Sequence, residues 1–327
     1  MPKVTVAVPF YNDAPYLREA VDSILAQSFQ DFELLLVNDG TTDESAAILA
    51  AYTDPRIRII TFPENRGRPH ARNAALEHAE GEYLAWLDAD DIAMPDRLKK
   101  QVDFLDAHPN VAITSGAIER FHEAEGIFHP PLHHNEIAAS LLLYCSILQT
   151  TSCFNLKKIR EAQLCYDNAF QRSEDYEFWC RALFDAKIVA ENQEDVLTRY
   201  RHFKRPAKSE WHKMVVCRNL DRLHIEYDND DTEILVSLCY DTRKDTALRY
   251  NIDNILKIID KIILSNNSLQ LIDEKSLLIF FQRSIEELLL ENGNFLAPYS
   301  IYKKSFTGSG SSNLFPIKYI LKKLFNV

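Results

Sequence analysis

The chain has 327 residues, 46 % of them apolar and 26 % charged, a composition of folded globular proteins that excludes general disorder. A net charge of −11 argues against broad nucleic-acid binding and leaves room for a local basic pocket holding an anionic nucleotide. The cysteines show neither C-x-x-C pairing nor zinc spacing, no signal peptide opens the chain, and no run is long and uncharged enough to span a bilayer. A reduced, cytoplasmic setting is expected, with any membrane contact peripheral.

Lys3–Phe10, KVTVAVPF, is short and rich in β-branched residues, which predicts a first strand. After the turn YND, Asp13 can cap a helix that starts at Pro15 and turns Leu17, Ala20, Val21, Ile24 and Leu25 inward. FELLLVNDG predicts a second strand ending in Asn38, Asp39 and Gly40, with Thr41 and Glu44 spaced as a capping box for a helix through Tyr52. Ile57–Thr61 predicts a third strand, Pro69–Ala79 a helix and Glu82–Leu87 a fourth strand. This alternation indicates an α/β sheet with mainly parallel strands, whose functional loops lie at the strands' C-terminal ends. That edge collects Tyr11, Asp39, Asn65 and Asp88. Neither G-x-G-x-x-G nor a P-loop is present, so phosphates are expected to be held by a metal and Arg side chains.

The fourth strand ends in Asp88, Asp90 and Asp91. Carboxylates crowded at a strand end resist desolvation unless a cation or water reaches them. If the extended conformation continues, Asp88 and Asp90 share one side and suit Mg²⁺ or Mn²⁺. The alternative role for these acids is to cap the next helix.

Pro95–Ala107 predicts that helix and Val111–Ser115 a fifth strand. Phe121–Asn135, with His122, His129, His133 and His134, predicts a loop or irregular hairpin whose histidines lack a zinc template and suit surface or acceptor contacts. A helix over Glu136–Cys145 and a strand at Thr150–Phe154 follow. In Arg172–Ala186, Ser173 can cap a helix anchored by Tyr176, Phe178, Trp179, Ala182 and Leu183, with Glu174 and Asp175 in its first turn. KIVAE and DVLTRYRHF predict two more strands, ending in Arg199, Arg201 and His202, basic groups that either meet a diphosphate or lie in solvated loop.

VAVPFYN, VNDGTTDES, ENRGRPHARNAAL, LDADD, SEDYEFWCR and YRHF, in this order, resemble the family-two glycosyltransferases of GT-A fold, bacterial surface-polysaccharide type, over Lys3 to Ser209. The resemblance implies a Rossmann-like, mainly parallel sheet with helices on both faces over residues 1–210. It implies Pro9, Tyr11 and Asp39 around the nucleotide base, and Asn65 and Arg72 near the sugar and diphosphate. Asp88 would lie near the ribose and with Asp90 at the metal, Mn²⁺ or Mg²⁺; Asp175 would be the general base, with Glu174 its companion. Arg201 joins the nucleotide-sugar contacts and His202 the metal ligands. Two positions depart from the family pattern: Asn38 stands where an acid is common, and Ala74 with Ala75 where a glycine is usual nearby.

The activity so implied is inverting transfer of a sugar from a nucleotide sugar, UDP-linked, to a hydroxyl of a saccharide or lipid-linked glycan. A sugar-phosphate nucleotidyltransferase and a non-catalytic sugar-nucleotide-binding protein are the rival readings. The first generally opens with a Gly-rich basic phosphate loop, which VPFYNDAPY lacks. Beyond about Trp211 the pattern becomes helical, Ile252–Leu264 and Lys275–Gly293 having the apolar density of packed helices, which predicts a small helical region over 211–300. Residues 301–327 read as a linker and a basic amphipathic tail. Its last segment, 314–327, is suited equally to an anionic membrane surface and to docking on its own protein.

Overall fold

The computed structural model describes residues 1–203, 210–238 and 252–291. The linker and tail expected over 301–327 lie outside the described residues. Two compact units result: Met1–Ile137 with Cys145–Arg205, and Ala138–Tyr144 with the chain from Pro206 onward.

The first unit opens with four strands, β1 (Val4–Phe10), β2 (Phe32–Asn38), β3 (Ile57–Thr61) and β4 (Tyr83–Trp86). They pair in parallel in the order β3-β2-β1-β4, with α1 (Leu17–Leu25), α2 (Ser45–Ala50) and α3 (Arg68–His78) as crossovers. One sheet face, from Val4, Val6, Val8, Leu34, Leu36 and Ala85, packs on Leu17, Val21 and Ile24 of α1 and on Leu98, Val102 and Leu105 of α4 (Arg97–Ala107). The other face meets α3. Burial on both sides explains why β1, β2 and β4 read as continuous apolar runs instead of alternating ones, whereas β3 at the edge carries Arg58 and the exposed Ile59.

The sheet then becomes mixed. β5 (Ile92–Ala93), β6 (Ile113–His122), β7 (Gly126–Phe128), β8 (Cys153–Asn155) and β9 (Ala190–His202) extend it, β8 running antiparallel to both β4 and β6. The fifth strand is therefore longer than Val111–Ser115, and Phe121 and His122 belong to it. Its polar end is carried by parallel pairing with β9, from Ile113 opposite Ala190 to His122 opposite His202. KIVAE and DVLTRYRHF likewise contribute to one strand, because a register shift beside Gly116 absorbs the polar residues between them. A Cβ on Gly116 would meet Asp195 O at 2.9 Å, so the irregular backbone is seated on that glycine.

Helix starts differ from expectation where loops claim the capping groups. The Asp13 carboxylate accepts from Tyr11 N at 3.0 Å, and α1 begins only at Leu17. Asp43, not Thr41 with Glu44, accepts from Ser45 N at 2.9 Å at the start of α2, and the helix stops at Ala50. Thr41 instead receives Asn12 N and donates to Asp43.

Further along lie α5 (His134–Leu141), a 3-10 turn at Gln149–Thr151, α6 (Leu156–Glu161), and α7 (Glu174–Cys180) continued by a π-helical Arg181–Asp185. In the second unit, α8 (Glu210–Arg222), α9 (Asn229–Ser237), α10 (Ile252–Leu269) and α11 (Glu274–Glu291) confirm the helical reading. Ile255, Ile258, Ile259, Ile262 and Ile263 of α10 are buried, as are Leu277, Phe281 and Ile285 of α11. No helix among the described residues is long and apolar enough to cross a membrane.

Gly81 sits where β4 enters the sheet, and a Cβ there would lie 2.4 Å from Thr5 N and 2.7 Å from Tyr83 O. Backbone atoms cannot retreat as a flexible side chain can. Gly81→Ala is expected to destabilise the first unit by about 1–3 kcal/mol, read as a lower urea midpoint.

Candidate active site

Parallel pairing brings the C-terminal ends of β1, β2 and β4 to one edge, as the sequence requires. The connections leaving that edge are stitched together. Asn12 Oδ1 accepts from Thr42 N and Asp43 N, joining the loops after β1 and β2. Desolvation opposes charge on Asp43, yet hydrogen bonds from Ser45, Thr41 and Ala14 hold it at about 2.

Asp39 is 4 % exposed, and its two oxygens accept from Arg66 N at 2.8 Å and Gly67 N at 2.9 Å. It thereby fixes the loop that carries Asn65 and the start of α3, while each oxygen keeps a second lone pair. Gly40 has φ +69°, and a Cβ there would meet Glu64 C at 2.2 Å, so this approach needs glycine. Pro9 lies within β1 opposite Val37, and Tyr11 and Asn65 are exposed at the same edge.

The acidic stretch after β4 does not stay extended. Asp91 N donates to Asp88 O at 3.1 Å, closing a turn that brings carboxylate oxygens of Asp88, Asp90 and Asp91 within 4.8 Å of one another. The turn thus adds Asp91 to the expected pair. Asp91 is fully buried; its Oδ1 accepts from Arg201 N at 2.7 Å and its Oδ2 has no hydrogen-bond partner. Burial, then the Asp88 and Asp90 charges, push its pKa well above the usual carboxyl range. Three hard oxygen donors, one of them buried and unsatisfied, fit a divalent cation of the Mg²⁺ or Mn²⁺ kind. His202 is not in this group; its ring lies edge-on to Tyr200.

Arg201 is more committed than its sequence position suggests. Its Nε donates to Asp90 O at 2.9 Å, a terminal nitrogen to Glu19 Oε2 at 2.6 Å, and its guanidinium lies 4.5 Å from the Tyr16 and Phe121 ring centres. It braces the acidic turn from β9. Beneath the turn, fully buried Arg97 donates to Trp86 O, Thr198 Oγ1 and Gln101 Oε1, and burial pushes it down to about 10.

Arg72, 3 % exposed, joins the halves of the site. It lies 3.4 Å from Asp88 Oδ1 and 2.8 Å from Glu174 Oε1. Burial opposes its charge, but Glu174 and then Asp88 outweigh burial and raise its pKa. Glu174 is 2 % exposed; burial raises its pKa against the lowering influence of Arg72. Both acids open α7, where the helix dipole favours anions. Ser173 does not cap this helix with its side chain: it has φ +57°, and the buried Tyr176, Phe178 and Trp179 anchor the helix instead. Asp175 is half-buried, with Oδ1 accepting from Tyr176 N at 2.9 Å.

Sequence reading placed Asp91 in the crowded acidic group without pairing it to the metal and took Asp13 only as a helix cap, and it did not single out Arg97 or Arg68. Asp13 has its pKa raised by burial and by Asp88, with Arg68 as a nearby opposing charge. Three acids within four residues at a strand end were the available signal for Asp91; nothing local marks Arg97.

The sheet and its acid-lined edge define a GT-A fold. Residues 5–177 match the model of glycosyl transferase family 2, and the chain belongs to that family. An uncharacterised glycosyltransferase of Haemophilus influenzae is 32 % identical over 191 residues, covering 54 % of this chain and 59 % of the relative. Succinoglycan biosynthesis protein ExoO of Rhizobium meliloti is 33 % identical over 195 residues, 56 % of each. The chain therefore spans less than two thirds of the length of these relatives. S. aureus TarS 1–349 in complex with UDP-GlcNAc has a similar fold, with TM-score 0.60, 17 % identity and 88 % of each chain covered. So has the mannosyltransferase PcManGT from Pyrobaculum calidifontis in complex with GDP-Man and Mn²⁺, with TM-score 0.51, 19 % identity, and 99 % of this chain and 88 % of that one covered.

Raised pKa values on Asp91 and Glu174 mean that the folded chain binds protons more tightly than the unfolded one. Their contribution to stability is full below the ordinary carboxyl range and is lost as pH rises through the raised values. Chelator-treated protein is expected to lose melting temperature as pH rises above the ordinary carboxyl range, and Asp91→Asn to flatten that loss. Mn²⁺ should restore the wild type alone at the upper pH. Arg72→Met strands buried Glu174 and is expected to cost about 3–5 kcal/mol, measured by denaturant titration.

Proposed function

We propose that the chain is an inverting glycosyltransferase that moves a sugar from a nucleotide sugar, UDP-linked, to a hydroxyl of a saccharide or lipid-linked glycan. The observation that carries this reading is the link made by Arg72, which ties the acidic turn at Asp88 to the helix start bearing Glu174 and Asp175. Leaving-group chemistry and proton removal need opposite faces of one sugar, and a tie between the two groups of acids supports that reading. UDP-GlcNAc and GDP-Man in the fold relatives support the donor class.

Asp39 offers its free lone pairs to the nucleotide base, with Pro9 and Tyr11 beside it and Asn65 on the adjoining loop. Asp88 and Asp90, with Asp91 behind them, would hold the cation; His202, outside that group and against Tyr200, would join them only after its ring moves. Bound there, Mg²⁺ or Mn²⁺ supplies Lewis-acid neutralisation of the departing diphosphate. Arg72 adds fixed positive charge on the same side, and Arg201 keeps the acids at their spacing. Asp175 takes the proton of the acceptor hydroxyl as its oxygen attacks the anomeric carbon and the bond to the diphosphate breaks. Glu174, paired with Arg72, holds that helix start in place. A single displacement through an oxocarbenium-like state inverts the anomeric centre.

Asp175→Asn is expected to lower kcat by about 10²–10⁴-fold with UDP affinity unchanged. NMR of the first-formed linkage should show the inverted anomer; a retained one would overturn the displacement. Release of pyrophosphate from a nucleoside triphosphate and a sugar phosphate would establish the nucleotidyltransferase instead.

A further inference from the structure

Three buried polar atoms in one connected set of side chains have no hydrogen-bond partner: Gln149 Oε1, Arg72 Nε and Trp86 Nε1. Gln149 is 5 % exposed and Trp86 1 %. Buried polar atoms are nearly always paired in folded proteins, so three together indicate a site built for a polar guest. The set is continuous. Gln149 Nε2 donates to Tyr166 Oη at 2.9 Å, Tyr166 packs edge-on to Trp86 with ring centres 5.8 Å apart, and the Arg72 guanidinium lies 5.6 Å from the Tyr166 ring centre. Exchanging oxygen and nitrogen in the Gln149 amide leaves Nε2 unpartnered in place of Oε1, so the conclusion does not depend on that assignment.

Position and chemistry identify the guest. Gln149 opens the 3-10 turn whose next residue, Thr150, receives Asp88 N on its Oγ1 at 3.3 Å. On the other side Arg72 reaches Glu174, next to Asp175. The amide therefore belongs to a set of side chains that runs from the acidic turn to the helix bearing Glu174 and Asp175, the span along which a transferred sugar would lie. Hydroxyl groups both give and take hydrogen bonds, so they can satisfy the amide in either orientation as well as the Arg72 and Trp86 donors. Tyr166 fixes the amide: it is fully enclosed and stacks on Phe178 of α7 with ring centres 4.4 Å apart.

We propose that Gln149 is a donor-sugar contact, its amide hydrogen-bonded to a hydroxyl of the transferred sugar and held in place by Tyr166. The assignment rests on the glycosyltransferase reading and goes beyond it in naming a residue that reads the sugar rather than the nucleotide. A site that hydrogen-bonds a hydroxyl discriminates strongly, because a sugar lacking or inverting that group leaves buried polar atoms unpaired.

The test is calorimetric titration of the full chain, with Mn²⁺ present, by UDP, UDP-N-acetylglucosamine, UDP-glucose and GDP-mannose. Gln149→Leu is expected to weaken the best-bound sugar nucleotide about tenfold while leaving its nucleoside diphosphate unchanged. Tyr166→Phe keeps the ring stack, frees the amide, and is expected to weaken the same sugar nucleotide about threefold. It also serves if Gln149→Leu does not fold. Unchanged affinity for the sugar nucleotide, as an enclosed water in place of a sugar would give, overturns the proposal. So does an equal loss for sugar nucleotide and nucleoside diphosphate. If the wild type binds UDP but the variants show either result, only the Gln149 assignment fails. If the wild type binds none of the four, the glycosyltransferase reading fails and takes this one with it.

Discussion

A buried arginine between two acids is the constraint on which the rest depends. Arg72 is nearly inaccessible, and isolating a guanidinium from water is costly unless opposite charge lies beside it. Asp88 and Glu174 supply that charge, one from the sheet edge and the other from a helix start far along the chain. Neither acid is comfortable alone: Glu174 is buried, and Asp88 belongs to a crowded acidic turn. The three ionic groups are compatible only together, so electrostatics fixes the spacing between the two ends of the site.

A second set of forces fixes the acidic turn itself. Three carboxylates within 4.8 Å repel one another. They are kept there by Asp88 O accepting from Asp91 N, by the Arg201 backbone and side chain, and by Thr150. None of these neutralises the full charge. Asp91 answers by favouring its protonated form, and a divalent cation would answer by taking that proton's place.

Much of the fold was legible because the buried parallel strands β1, β2 and β4 leave unbroken apolar runs, and the less buried Ile57–Thr61 was delimited to the residue. The acids at 88, 90, 91, 174 and 175 were legible because carboxylates at the end of an apolar segment stand out. Other features depend on partners distant in sequence. The Phe121–His122 end of β6 looks like loop and becomes strand only because β9 lies alongside it. Ser173 resembles a helix cap, yet buried aromatic rings decide where α7 begins and leave that serine in a left-handed conformation. Arg201 read as a diphosphate contact or a solvated loop residue because nothing in YRHF reveals that Glu19 and the Asp90 carbonyl await it.

The brace from Arg201 also bears on the order in which the chain matures. Its three hydrogen bonds to Asp91, Asp90 and Glu19 span 110, 111 and 182 residues, separations that close late because loop entropy must be overcome first. During ribosomal synthesis the early strands can pair before β9 emerges, but the acidic turn lacks its outer clasp until then. A nascent chain ending short of Arg201 thus carries its carboxylates without the geometry to use them, and competence arrives only as the sheet is finished.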